Sequence, residues 1–441
     1  MNSFVQFLKN EQIVLIESDA HMKTHLSHIE DLAIENGKNG FNNFLQHMDE
    51  INKKIKGFET NQEMNAKIDG SPMILFGTDP RPQFKNQFFI SLKGGLSQTA
   101  PKIMHTDKDI DVLYGQKPDL RDKLKSLLLN LKIAYDNSGK IYQADVLFAL
   151  PKDKKRIKIG EEEFITFKPN VIVYAVPIDQ KSSLSQKIQN AQVGIIVHES
   201  FKGKPTKTEG IELVSQGRDV SSLVEKSHNT TAFIQSSNFG KLAVNISDSL
   251  LKQINAEVNK AKLHIDNIED DFNATYLASP VLALLKIYLN KQVDIAPQGI
   301  FGASQRGEEF VTDSFIDGLR KFIAARYLKE QETKKTSLGK KKVEERSNQI
   351  LSFLEKNKEN FTNLIIATYH MSRSKNLLLQ ALTALESKVG KTFIENPDGS
   401  YTPTKDEGFV LFVGTNHVKL VDRLEFTKIN RQFGGPRKIT P

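Results

Sequence analysis

The spacing of apolar residues changes twice along the 441-residue chain, and no other feature narrows the possible folds as much. Between residues 66 and 246, β-branched and aromatic residues form short runs divided by glycine, proline and asparagine, as is typical of strands. Between residues 247 and 392, apolar residues recur every three to four positions, which predicts helices. Strand-like runs return after residue 399. The sequence therefore predicts an α+β fold that includes an all-helical insertion or appended helical domain.

The predicted domain boundaries follow these changes. A sheet domain begins in residues 1–246 and is completed by final strands in residues 396–441, which end in a basic tail, while residues 247–395 form the helical domain. The predicted strands are 12–16, 71–76, 87–92, 141–150, 171–176, 193–199, 408–413 and 417–424. The predicted helices are 28–34, 41–51, 279–289, 313–327, 347–361 and 376–385. The lysine-rich stretch 329–346 lacks a core pattern, so we expect a flexible loop there, with a nucleic-acid contact as the alternative.

The composition limits the classes of partner and compartment. Lysine and arginine number 61 against 53 for aspartate and glutamate, which gives a formal charge of +8 and favours a polyanionic partner. The absence of cysteine excludes disulfides and thiolate catalysis. The chain shows neither a signal-peptide pattern at residues 1–19 nor an apolar run of the roughly 20 residues that span a bilayer. We therefore expect a cytoplasmic protein with a nucleic-acid partner and no membrane partner; the oligomeric state is left open.

The sharpest chemical pattern is Lys67-Ile68-Asp69-Gly70, which directly precedes an apolar strand. A lysine that is held neutral by a partly desolvated pocket can attack phosphorus. Asp69 shares a face with Lys67 on an extended segment, where it can orient the amine or contact a ribose. Gly70 lets the backbone approach a phosphate closely. Where the pattern stands alone, a surface turn is the alternative interpretation.

Other segments carry residues suited to the same chemistry. Asp145 is a carboxylate inside an otherwise apolar strand, so it must be paired, metal-linked or at a solvated edge. Tyr174 lies in another apolar strand, where it either stacks on a base or belongs to the core. Lys93 opens a glycine-containing turn, either as a turn residue or as a phosphate contact. Glu407 precedes the first strand of a predicted hairpin, and Lys419 lies on its second strand.

This order of a lysine, two acidic residues and a second lysine resembles the covalent nucleotidyltransferase superfamily of ATP-dependent RNA and DNA ligases and mRNA capping enzymes. The positions that match its motifs are 67–70 for the nucleophile, Asp145 for the acidic strand, Tyr174 for the aromatic strand, 407–410 for the Glu-Gly motif and Lys419 for the final lysine. Residues 24–31 and 167–170 are also similar to ligase-like proteins of large tailed phages, which would place the chain in the cytoplasm of an infected host. One departure is Val421, where the final motif commonly has a second lysine.

The resemblance implies an antiparallel-sheet domain with flanking helices that uses ATP and Mg²⁺ or Mn²⁺. Lys67 would attack the α-phosphate of ATP to form lysyl-AMP, the AMP would pass to a 5′-phosphate, and a 3′-hydroxyl would displace it. The expected nucleotide-binding residues are Asp69, Gly70, Lys93, Asp145, Tyr174, Glu407 and Lys419, and the expected metal ligands are Asp145 and Glu407. RNA is expected rather than DNA, because no β-barrel pattern follows the last motif. The alternatives are a capping-like or protein-modifying nucleotidyltransferase and a nucleic-acid-binding protein without catalysis.

Overall fold

The computed structural model describes residues 27–56, 62–66, 68, 70–84, 86–96, 101–179, 181–236, 241–244, 246–294, 299–386, 391–404, 408–413, 416–425 and 427–428. The predicted strand at 12–16 and the basic tail lie outside these ranges. The described residues form an α+β protein whose sheets are mainly antiparallel, which confirms the predicted fold class at that level.

Strands and helices alternate unevenly along the chain. The strands are β1 (Ser27–His28), β2 (Gln62–Ala66), β3 (Met73–Thr78), β4 (Phe88–Leu92), β5 (Ile103–Met104), β6 (Ile141–Phe148), β7 (Lys154–Ile159), β8 (Glu162–Phe167), β9 (Ile172–Pro177), β10 (Val193–Pro205), β11 (Ile211–Gly217), β12 (Ala232–Ser236), β13 (Lys241–Val244), β14 (Leu382–Glu386), β15 (Lys391–Glu395), β16 (Tyr401–Pro403), β17 (Phe409–Val413) and β18 (Asn416–Leu420). The helices are α1 (Leu32–Ile55), α2 (Asp107–Tyr114), α3 (Pro118–Ala134), α4 (Ser183–Asn190), α5 (Ser221–Ser227), α6 (Asp248–Asp266), α7 (Asp270–Leu277), α8 (Val281–Asp294), α9 (Ile300–Arg306), α10 (Thr312–Thr333), α11 (Ser337–Lys356) and α12 (Lys358–Ala381).

The chain divides into two compact units, each built from separate stretches of sequence. We call the first the helical unit; it falls within residues 1–63, 243–383 and 410–428. The second, the sheet unit, falls within residues 64–242, 384–409 and 429–441. The division differs from the predicted one, because α1 and β18 belong with the helices and not with the sheet domain.

The sheet unit contains two sheets. The larger has the strand order β11-β10-β6-β3-β4-β5, with β12 added in parallel to β10. The smaller is antiparallel throughout, in the order β16-β15-β9-β8-β7. One face of the larger sheet packs on helices, where Val146 of β6 shares an apolar cluster with Leu124 and Leu131 of α3. Its other face meets the smaller sheet, where Phe148 packs on Phe167 at 5.3 Å between ring centroids.

The helical unit joins stretches that are distant in sequence. Tyr276 of α7 donates a buried 2.7 Å hydrogen bond to the carbonyl of Ile34 in α1. β1 pairs in parallel with β18, which lies between β1 and β17 in its sheet. These contacts explain why the first and last described segments belong with the helices.

A group of four ionic side chains, which we call the buried charge cluster, also joins these stretches. Its members are Glu30, Asp31, Lys375 and Arg423. The Lys375 ammonium donates to Glu30 at 2.7 Å and to the Val421 carbonyl at 3.0 Å, and its side chain is 2% exposed. Arg423 pairs with Asp31. Arg423 therefore has a structural role in the helical unit.

Several predicted elements need correction. Most of the stretch 329–346, predicted as a flexible loop, is helical and belongs to α10 and α11. The predicted helix at 376–385 ends at Ala381 and continues as β14. The two short helices predicted near the start are confirmed in one respect, because non-helical backbone at Asn36 and Gly37 divides α1 into two parts. Helices α2 and α3 lie in a region that was predicted to be rich in strands.

Candidate functional site

The carboxylate of Asp145 is the centre of the candidate site. Asp145 lies on β6, between Met73 of β3 and Ile196 of β10 in the strand register. Because side chains alternate along a strand, Ala144 and Val146 face the helices and Asp145 faces the opposite way. Its side chain is 15% exposed. A carboxylate this enclosed needs partners, and the surrounding strands provide them.

Among the residues that the structure describes, His198 forms an ion pair with Asp145. Its Nε2 lies 3.1 Å from Asp145 Oδ2, and its side chain is 26% exposed. His198 stands in β10 beside a register shift between Val197 and Glu199, which changes the alternation of the strand at this point. His198 could not be recognised from the sequence, because it is the pairing of β6 with β10 that brings it to the carboxylate.

The segment that follows the predicted nucleophile lies against the same carboxylate. The Gly70 amide nitrogen is 3.5 Å from Asp145 Oδ2. The backbone amide of Ser71 donates to the Val146 carbonyl at 2.8 Å, and the backbone amide of Val146 donates to the Pro72 carbonyl at 3.1 Å. A methyl group on Gly70 would lie 2.5 Å from the Val146 oxygen, so only glycine allows this approach.

Lys67, Asp69 and Glu407 lie outside the described residues. Their neighbours are described on each side of Asp69: Ile68 is buried in an apolar cluster with Leu147 and Phe148, and Gly70 lies on Asp145. The positions just after Lys67 are therefore held by packing and by hydrogen bonds of β6.

Lys93 is a cation of the sheet unit whose charge interacts with that of Asp145. It follows β4, and its amide donates to the Met73 carbonyl at 3.3 Å. Burial lowers the pKa of the Lys93 ammonium from its ordinary value of 10.5, while the negative charge of Asp145 acts in the opposite direction. Lys93, Asp145, His198 and Gly70 thus converge on one face of the larger sheet. This arrangement places a carboxylate, an imidazole and an ammonium beside the segment predicted to carry the nucleophile.

A comparison with protein-family models gives a match over residues 23–433, which is most of the chain. The chain belongs to the DUF6267 family. This is described as a family of unknown function. No curated protein and no solved structure matches the chain. Among its described helices, none is by itself both long and apolar enough to cross a membrane; one pair bent by 81°, Asp270–Leu277 with Val281–Val293, meets the same criteria only when taken together.

The structure also describes Tyr174 and Lys419 of this DUF6267 chain, both of which were predicted for the site. Tyr174 is 2% exposed, and its ring stacks on Phe167 at 5.6 Å between centroids. A ring enclosed in this way has no face open to adenine, so the core role is the correct interpretation of Tyr174. Lys419 is on β18 in the helical unit, where it is half-buried and opposite His28 in the strand register.

A divalent cation would find one suitable protein ligand among these residues. Mg²⁺ commonly binds through one or two carboxylates together with substrate phosphates, and Asp145 is a carboxylate of this kind. No group of three or more histidine or acidic side chains able to hold a metal occurs in the part of the chain that the structure describes. The residues present therefore fit a cation that is shared with a phosphate-bearing substrate, with His198 as an alternative partner of the carboxylate.

Replacing Gly70 by alanine should disrupt this site directly. We expect a loss of about 1–3 kcal/mol in the free energy of unfolding, because the added methyl group must displace the backbone of β6. Thermal denaturation of the intact chain measures this loss. Ser71→Ala is the matched control, since Ser71 is exposed and adjacent. Equal stability of the two variants would contradict the close approach described for Gly70.

Proposed function

We propose that this protein is an ATP-dependent polynucleotide ligase, acting on RNA, that forms a covalent lysyl-AMP on Lys67. The observation that carries the proposal is the 3.5 Å approach of the Gly70 amide to the Asp145 carboxylate. Gly70 ends the predicted nucleophile pattern and Asp145 is the predicted acidic residue, yet the two are far apart in sequence. Their proximity is what one nucleotide-binding site requires of them.

The first step forms one bond and breaks one. The neutral Lys67 amine attacks the α-phosphorus of ATP, an N–P bond forms, the bond to pyrophosphate breaks, and the nitrogen loses a proton. A 5′-phosphate oxygen then attacks the same phosphorus, the N–P bond breaks and Lys67 recovers a proton. Finally a 3′-hydroxyl attacks the 5′-phosphate and releases AMP. Each step moves negative charge near phosphorus, so cations and amide groups around it lower the barrier.

The described side chains have definite roles in this scheme. The Lys93 ammonium attracts a phosphate of the nucleotide. Its partial burial strengthens this electrostatic attraction, because water screens it less. The Gly70 backbone allows the phosphate to come close. Asp145 orients the lysine or holds a divalent cation, and such a cation would offset the charge on the phosphates when bound. His198 keeps the Asp145 carboxylate oriented through their 3.1 Å contact.

The proposal predicts a covalent label from ATP. Incubation with Mg²⁺ and ATP labelled at the α-phosphate, followed by denaturation, is expected to leave the label on the protein. Lys67→Ala is expected to remove it, because the substitution deletes the amine that forms the N–P bond in this scheme. Retention of label by Lys67→Ala would overturn the assignment of the nucleophile.

The nucleotide and the acceptor separate this function from its alternatives. A label from GTP and not from ATP would indicate capping-like chemistry. A label from neither nucleotide would contradict both enzymatic functions and leave a nucleic-acid-binding protein. Joining assays with single-stranded RNA, nicked RNA and nicked DNA then identify the acceptor; joining of DNA alone would contradict the assignment to RNA.

A further inference from the structure

The end of the hairpin formed by α10 and α11 contributes nothing to the core. The last buried residue of α10 is Tyr327, and the first buried residue of α11 is Val343. Between them lies a segment, residues 334–342, that we call the basic tip. It has five lysines and no acidic residue: Lys334, Lys335, Lys340, Lys341 and Lys342. The helical part of the tip, residues 337–342, has no buried side chain, which leaves its lysines available to a partner.

Acidic residues near the basic tip neutralise only part of its charge. Glu330 pairs with Lys334 at 3.3 Å and also with Arg346, which lies beyond the tip. Lys341 is 4.0 Å from Glu345. Lys335, Lys340 and Lys342 are exposed and form no ion pair within the described structure. Three positive charges thus stand together without compensation.

The position of these lysines is unfavourable for the helix that carries them. The N-terminal end of a helix has a partial positive charge, so cations there destabilise it. Lys340, Lys341 and Lys342 lie within the first two turns of α11, and its first turn has no acidic residue. Thr336 caps the helix by accepting from the Gly339 amide. An anion bound to these lysines would offset the repulsion between their charges and the positive end of the helix.

The same residues border an open cleft formed by the start of α11 and the segment before it. The cleft has a volume of about 590 Å³, and its charged lining consists of three cations and one carboxylate: Lys334, Lys342, Arg346 and Glu345. It contains no aromatic side chain that would stack on a base. A surface with this lining recognises phosphate groups and does not read sequence.

We propose that the basic tip binds the phosphate backbone of single-stranded nucleic acid without sequence preference. The proposal rests on the proposed function only for the choice of nucleic acid as the polyanion. The binding itself needs neither ATP nor Lys67. It can therefore be tested apart from adenylyl transfer.

The test is fluorescence anisotropy with labelled oligo(U) RNA and the intact chain, without ATP, over a series of potassium chloride concentrations. In the tip variant, Lys335→Glu, Lys340→Glu and Lys342→Glu are combined. We expect its affinity to fall by at least about tenfold at low salt. The slope of log affinity against log salt should decrease by about 2, because each lost phosphate contact on a single strand contributes about 0.7.

A control variant carries the same charge change at three exposed lysines elsewhere on the helical unit: Lys252→Glu, Lys262→Glu and Lys356→Glu. Equal losses in the tip and control variants would overturn the proposal, because they would show a general charge effect. Binding of the tip to phosphatidylserine vesicles but not to RNA would overturn it in favour of a membrane surface. Lys67→Ala is expected to bind RNA normally. If the wild type takes no label from ATP but binds RNA through the basic tip, the proposed ligase function is contradicted and the proposed RNA binding is supported.

Discussion

Replacing Lys375 by methionine is expected to lower the free energy of unfolding by about 3 kcal/mol, as measured by urea denaturation followed by far-ultraviolet circular dichroism. Methionine preserves the length of the side chain but removes the charge that contacts Glu30 at 2.7 Å. Glu30 is fully buried, and its Oε2 has no hydrogen-bond partner in the described structure. Arg423 remains 3.5 Å from Glu30, which places the expected loss at the low end of the range for a broken buried pair.

The pH dependence of the same variant provides a second measurement. Burial by itself would raise the pKa of Glu30, but the charges of Lys375 and Arg423 hold it below its ordinary value of 4.5. A carboxyl group whose pKa is lower in the folded state contributes stability above that ordinary value, and the contribution is lost as the pH falls. Without Lys375 the pKa of Glu30 rises, so acid unfolding of the variant should begin at a higher pH than in the wild type.

The double variant Glu30→Gln, Lys375→Met is the control for this prediction. It removes both charges together, and neutral replacement of a buried pair costs much less than removal of one partner. Its stability should therefore lie between those of the wild type and Lys375→Met. A Lys375→Met protein as stable as the wild type would show that the buried charge cluster does not stabilise the helical unit.

Asp145→Asn is expected to slow formation of the covalent AMP label by about 10²–10³-fold, the usual cost of removing one electrostatic group from a reacting site. Asparagine keeps the size of the side chain, so it preserves packing between β3 and β10. It removes the negative charge that faces His198 and Lys93. The measurement is the rate of labelling with excess ATP.

Glu212→Gln is the matched control for Asp145→Asn. Glu212 lies on β11 of the same sheet, is exposed, and undergoes the same change of charge and shape. The control should label at the wild-type rate, and both variants should unfold at similar temperatures. Labelling of Asp145→Asn at the wild-type rate would show that Asp145 takes no part in the reaction.

The sequence predicts the strands around the site well, because their signals are local. The runs at 141–150 and 193–199 are β-branched or apolar, and both belong to strands of the larger sheet. Asp145 can be recognised in advance because a carboxylate in such a run needs an explanation. His198 cannot, since its role depends on the register between β6 and β10 and on the irregularity beside it. Alternation indicates the face of a side chain but not its neighbour on the next strand.

The errors in the predicted helices have specific physical causes. In α3 the apolar residues Leu124, Leu127, Leu128 and Leu131 have helical spacing, and Pro118 marks its start, but the strands on each side dominate the pattern. In residues 329–346 only Val343 is buried, because the basic tip lies outside the core. The helices form there because lysine, glutamate, glutamine and arginine favour helix without burial. Lack of an apolar stripe therefore did not indicate a loop.

The division into units was not predictable from local pattern. Glu30 and Asp31 belong near the beginning of the described chain and Arg423 near its end, so their pairing is a contact across almost the whole sequence. Tyr174 shows the same limit at smaller scale. Its strand is evident in the sequence, but only the packing of Phe167 shows that its ring is enclosed.

The buried charge cluster also bears on when the helical unit can finish folding during synthesis on the ribosome. Glu30 and Asp31 are synthesised early, but Arg423 emerges after every described residue of the sheet unit. Domains fold as their segments become available during synthesis. Every described residue of the sheet unit can therefore be in place while Asp31 still lacks its partner Arg423, although Glu30 can already pair with Lys375. A ribosome that stops just before residue 410 would release a chain that contains every described residue of the sheet unit but lacks the last stretch of the helical unit.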